Sequence, residues 1–158
     1  MKNTFKRSGA ALISLVLLLV LAVSAGAASS QNVGVKFWKE RSDKESMANS
    51  GIDADRTATL TRQANGTYTL TLPVMQVSKL GVTGYLSGLT IGDVTYNGTL
   101  TGDFNKATAV LTIKNLPASV LTGSDVNKSV LVTCNIQMDL QVLGEINTSA
   151  RMCIWNQK

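Results

Sequence analysis

The C-terminal stretch carries the pattern that most constrains the fold. Val130, Val132, Cys134, Ile136, Met138 and Leu140 are apolar at every second position, with Leu131, Thr133, Asn135, Gln137 and Asp139 between them. A period of two describes a strand with one face in a core and the other toward water. The same alternation recurs upstream. Val33, Val35 and Phe37 form one such run, Ala58, Leu60 and Arg62 a second, and Tyr68, Leu70, Leu72 and Val74 a third. Ala109, Leu111 and Ile113 form another. About eight strand signals can be read in this way, and no stretch has the 3.6-residue period of an amphipathic helix. The fold class is therefore all-β, an immunoglobulin-like antiparallel β-sandwich.

The turns follow from local chemistry. Asn65-Gly66 and Asn97-Gly98 both read as type I′ hairpin turns. Glu45 to Ser50 suits one short helical turn, with Ser42 or Asp43 as its N-cap and Gly51 as its end. Gln76 to Gly92 is broken by glycines and reads as several short pieces, with Tyr85, Leu89 and Ile91 as strand residues. A further turn is expected around Ala118 to Leu121.

The N-terminus reads differently. Lys2, Lys6 and Arg7 precede the apolar run Ala10 to Val23, and Ala25-Gly26-Ala27 offers a small-residue cleavage site. Residues 1–27 are thus expected to be a secretory signal peptide, too short in its apolar run for a membrane span. Residues 28–158 are expected to form a single domain, with 28–32 as a linker. Three of the 15 basic residues and none of the 10 acidic ones lie in the leader, which leaves a net charge of +2 on residues 28–158. That balance does not suit a nucleic-acid partner. No wall anchor or membrane tail is legible, so the expected location is extracellular or at the cell surface, non-covalently held.

The chain has no His, which excludes His-dependent catalysis and His-ligated metal or haem. No pair of carboxylates or nucleophile with a base assembles, so a binding protein is expected rather than an enzyme. Cys134 and Cys153 are the only cysteines. In an exported chain they are expected to form a disulfide. A two-residue loop at Leu143-Gly144 would set them directly opposite each other in the final hairpin, with Met152 and Ile154 on the other face. A bulge or a longer loop would reverse those faces, and the sequence leaves the register open.

Ser46-Met47-Ala48-Asn49, followed by the Ala58 to Arg62 strand, Asn65-Gly66 and the Tyr68 to Leu72 strand, resembles the start of a NEAT domain. NEAT domains are the haem-binding modules of Gram-positive surface proteins. The specific part of the resemblance is about forty residues long, and the layout of the later strands follows the family as well. It implies a haem between the short helical turn and the last hairpin. Ser46 would bond a haem propionate and Met47 would pack on the porphyrin face. In the family a Tyr phenolate of the last hairpin holds the iron, with a second Tyr four residues on.

Here the pattern departs. The only tyrosines are Tyr68, Tyr85 and Tyr96, and the family's Tyr pair would fall at Ile146 and Ala150 or at Thr148 and Met152. Gly51 or Ser50 stands where the family often has an aromatic. Met138 and Met152 are the candidate thioether ligands, with Met152 the possible axial one. The function implied is haem or tetrapyrrole binding of the kind used in iron acquisition, with haem or a haemoprotein as partner. The competing expectation is a structural or adhesive module that contacts protein or glycan and binds no haem. An exposed Trp38 among other apolar loop residues would favour it.

Overall fold

In a computed structural model of the protein, which describes residues 28–79, 81–139 and 144–158, the alternating segments form nine strands. They are β1 (Ser29–Lys39), β2 (Ala58–Arg62), β3 (Tyr68–Pro73), β4 (Val77–Lys79), β5 (Val82–Ile91), β6 (Val94–Thr101), β7 (Val110–Leu116), β8 (Val130–Met138) and β9 (Glu145–Asn156). The only helical elements among the described residues are short 3-10 turns. The expected leader, residues 1–27, lies outside the described residues.

All pairings are antiparallel, in the order β4-β5-β6-β7-β3-β2-β1-β9-β8, and β5 pairs with β8 as well. The hydrogen bonding of this immunoglobulin-like sandwich therefore runs as a closed ring from β5 round to β8 and back. Closure leaves few open strand edges. The apolar positions of each alternating run point inward. Phe37, Leu60, Leu70, Leu111, Ile113 and Ile154 are fully buried in one cluster. Residues 29–32, expected as linker, are the first residues of β1 and pair with β2 from Ser29↔Arg62 onward.

The glycine-rich segment is broken at Gly81 and Gly92, between β4 and β5 and after β5, but not at Gly84 and Gly88, so that β5 is one long strand. Gly84 and Gly88 lie inside β5 because β8 and β6 come too close for a side chain. A Cβ on Gly84 would fall 2.9 Å from the Gln137 carbonyl oxygen, and one on Gly88 would fall 2.6 Å from that of Tyr96. Asn97-Gly98 likewise lies within β6, with Asn97 opposite Gly88. The β5–β6 turn is Gly92-Asp93 instead, flanked by the Ile91↔Val94 pair and with Gly92 at φ +58°. Gly at the first central position of a two-residue loop is the type II′ requirement. Asn65-Gly66 does make a hairpin. Of its two residues only Gly66 has a positive φ, and the Thr67 N–H bonds the Asn65 side chain, so the turn is not type I′.

The final hairpin corrects the disulfide. Gln137 pairs with Glu145, and the Met138 N–H donates to the Gly144 carbonyl at 3.1 Å. The connection is thus residues 139–143, five residues in place of two, and the odd shift reverses the faces of β9. Cys134 stands opposite Thr148. Cys153 is five residues further along, about 17 Å of strand, and on the opposite face of the sheet. A disulfide needs Cα atoms within about 7 Å, so this pair cannot bond. Both cysteines are free and buried. The Cys153 thiol donates to the Asp125 carbonyl at 3.6 Å, beneath the segment that also ties the Thr122 and Gly123 N–H groups to the Ile154 carbonyl. Burial pushes the Cys134 thiol up to about 12, so it stays protonated and inert at neutral pH. Alkylation in denaturant without reductant is expected to label two thiols, whereas the folded protein should resist labelling at Cys134. A single disulfide-linked species on a non-reducing gel would contradict this register.

Candidate functional site

The Ser46 to Asn49 motif builds one wall of the site. Met47–Gly51 is a 3-10 turn, and its N-cap is Ser46, not Ser42 or Asp43. The Ser46 hydroxyl oxygen accepts from the Ala48 N–H at 3.3 Å. Asp43 instead pairs with Arg151 at 2.7 Å. Asn49 fixes the turn to β1 by imitating a strand partner. Its Oδ1 accepts from the Phe37 N–H at 2.8 Å, and its Nδ2 donates to the Phe37 carbonyl at 2.7 Å and to the Ser46 carbonyl at 3.1 Å. The far end is tied to the exit of β3, where the Met75 N–H donates to the Gly51 carbonyl at 3.1 Å and Ile52 bridges Val74.

An apolar cleft of about 310 Å³ lies between this turn and the β8–β9 hairpin. Met47, Ala48, Ser50 and Gly51 supply the turn side. Ile136, Met138, Ile146 and Thr148 supply the hairpin side. Val77, Val82, Gly84, Tyr85 and Leu86 close it from β4 and β5. Among the described residues that line it, none carries a formal charge at neutral pH. Gly84 makes room for Met138, since a Cβ at that position would fall 2.8 Å from the Met138 sulfur. Gly51 leaves space open, its nearest neighbour to an added Cβ being Val77 at 3.9 Å.

The structure brings Met47 and Met138 to the cleft and places Ser46 at the head of the turn beside them. Met152 is elsewhere. It is fully buried in the core, paired with Phe37 and Val130; it shares its face of β9 with Ile146 and Thr148 but lies further along the strand, beyond the cleft. Two of the positions where the family's tyrosines would fall, Ile146 and Thr148, do line the cleft. Tyr68 and Tyr96 pack against the core, whereas Tyr85 lines the cleft and also meets Phe104 at a tilt, with ring centroids 5.3 Å apart. Tyr85 and the β4 residues went unread as site residues because the glycines around them masked the strand period.

Trp38, the residue whose exposure would favour a contact surface, is not exposed. It is half-buried, with its indole N–H enclosed and the Lys36 ammonium 4.6 Å from its ring centroid. Lys36 also pairs with Glu45. Of the five large hydrophobic residues exposed among the described residues, Met47 and Ile146 line the cleft. No cluster of three or more potential metal-binding side chains occurs among the described residues. No helix among them is long and apolar enough to cross a membrane.

No protein-family model and no curated protein matches the sequence. Solved structures do match. The NEAT5 domain of IsdX2, a B. anthracis hemophore, in complex with haem superposes with a TM-score of 0.53 at 10% identity, over 84% of this chain and 99% of that one. A single-residue mutant of the same domain, also in complex with haem, gives a TM-score of 0.53 at 10% identity over 84% and 98%. At that identity the agreement lies in the path of the backbone, and the chain has the NEAT-like immunoglobulin fold.

Proposed function

We propose that this protein binds haem, or a closely related tetrapyrrole, in the cleft between the Met47–Gly51 turn and the β8–β9 hairpin, and that it carries this ligand without transforming it. The observation behind the reading is the cleft itself: apolar, uncharged, and bounded by the two elements that the sequence resemblance singles out. Its volume of about 310 Å³ is at the lower end for ligand pockets. A planar ligand therefore enters edge-on, with its apolar body between the walls and its charged edge at the rim. The likeness in fold to haem-complexed hemophore domains supports the same ligand.

The side chains divide the work. Met47 covers one face of the ring from the mouth. A Ser hydroxyl has one donor and two acceptor positions, and Ser46 spends an acceptor on the Ala48 N–H. Its O–H is left to donate to a carboxylate, which suits a propionate. Ser50 is less suited, since its hydroxyl already donates to the Met47 carbonyl at 2.6 Å. Export behind residues 1–27, followed by release or by non-covalent retention at the surface, belongs to the same reading.

The test is a titration of the purified protein with haemin, with and without dithionite, and separately with metal-free protoporphyrin. A Soret shift that saturates at one equivalent is expected. No shift in any of the three titrations rejects the reading.

A further inference from the structure

We propose that the cleft selects ferrous over ferric haem, with the Met138 thioether as the iron ligand. This rests on the reading of the cleft as a porphyrin site. It follows from two observations that the resemblance does not supply. The first is electrostatic. A ferric porphyrin core carries a net positive charge and a ferrous one carries none. Taking an uncompensated charge out of water into an apolar site is costly. The described residues lining the cleft include no carboxylate and no thiolate that would offset it. The buried Cys134 stays a thiol, and it stands opposite Thr148 on the strand pair that forms the hairpin wall.

The second observation is the donor. Met138 lines the cleft, with its sulfur lying over Gly84, where the missing side chain gives it room. Thioether sulfur is a soft, neutral ligand, and axial Met raises the potential of haem iron. Met152, the other candidate, is fully enclosed by the core and does not line the cleft. Ile146 and Thr148 stand where an anionic oxygen would favour ferric iron, and neither supplies one. The uncharged walls and the sulfur donor thus favour the same oxidation state.

The experiment compares dissociation constants for haemin, for haem kept reduced with dithionite under anaerobic conditions, and for metal-free protoporphyrin. The full protein and its Met138→Leu and Tyr85→Phe variants are measured side by side. Met138→Leu conserves volume, so the fold should tolerate it. Ferrous haem is expected to bind at least about tenfold more tightly than ferric, which by a thermodynamic cycle raises the midpoint potential of the bound haem by about 59 mV over the free value. Met138→Leu should shrink that advantage to what the uncharged walls alone supply and change the ferrous spectrum while metal-free protoporphyrin binds as before. Ferric binding as tight as ferrous overturns the proposal, as does a ferrous preference that Met138→Leu leaves undiminished. A spectrum that changes with Tyr85→Phe and not with Met138→Leu assigns the iron to the phenol and also overturns it. In each of those cases, binding of metal-free protoporphyrin leaves the cleft reading standing, whereas failure of every porphyrin to bind removes both.

Discussion

Met47→Ala is expected to weaken porphyrin binding by about tenfold to a hundredfold and to leave the thermal midpoint where it is. Met47 is 62% exposed, so the folded protein without ligand draws little stability from its side chain. A ligand in the cleft would cover it. Burying a Met side chain is worth roughly 1.5–3 kcal/mol. Each 1.4 kcal/mol is about a tenfold change in affinity, which gives the range stated. Parallel titrations with metal-free protoporphyrin and thermal melts of both proteins check it. An unchanged affinity would mean that the ligand does not lie under this turn.

Asn49→Ala should act on the fold as well as on the site. Its three hydrogen bonds do not weigh equally. The Phe37 carbonyl keeps the Ser46 N–H as donor, and the Ser46 carbonyl keeps the Asn49 N–H. The Phe37 N–H, however, has Asn49 Oδ1 as its acceptor and is partly buried. Leaving such a group unpaired costs roughly 1–3 kcal/mol. A fall of that size in the free energy of unfolding is expected from urea titration. Porphyrin affinity should drop with it, because the turn that forms one wall loses its tie to β1. The far-UV spectrum should stay that of the parent, since the strand ladders do not depend on Asn49. No change in stability would show that the tie to the exit of β3 holds the turn by itself.

The same residue shows how much of the site could be read beforehand. Ser46-Met47-Ala48-Asn49 stood out as a local signature, and its place beside the last hairpin agrees with the expectation. Why Asn stands fourth is invisible in the sequence. The reason is a pairing with Phe37, twelve residues away, that no local rule encodes. The hairpin wall was half legible. Met138 and Ile136 lie on the face that alternation assigned to them. Met152 shares that face but is paired with Val130, too far along β9 to reach the cleft, in a register that depended on a loop length the sequence left open. The third wall was missed. Gly84, Tyr85 and Leu86 were read as a broken segment, since glycine inside a strand is a poor local choice. It is a good choice only where a Cβ would come within about 3 Å of neighbouring backbone, as it would of the Gln137 carbonyl here.

The two Asn-Gly pairs teach the same lesson. Asn65-Gly66 lies at a hairpin, and Asn97-Gly98 lies in the middle of β6. Their local chemistry is identical, so the difference comes from what packs beside them. Gly98 sits against β5 and β7, with an added Cβ falling 2.8 Å from the Ser87 carbonyl oxygen.

By itself, then, the sequence determined the strands whose alternation no glycine interrupts and which side chains of each such run share a face. It also determined that a short capped turn interrupts them after β1. These are short-range properties, set by the two-residue period of extended backbone and by side chains that bond their own neighbours. Only the tertiary structure decided the register of the last hairpin, the closure of the ring through β5 and β8, and with them the state of the two cysteines and the lining of the cleft. A register shift of one residue turns a whole strand over at no cost to its local pattern. What fixes it is the length of a connection and the close approach of backbones that are far apart in the chain.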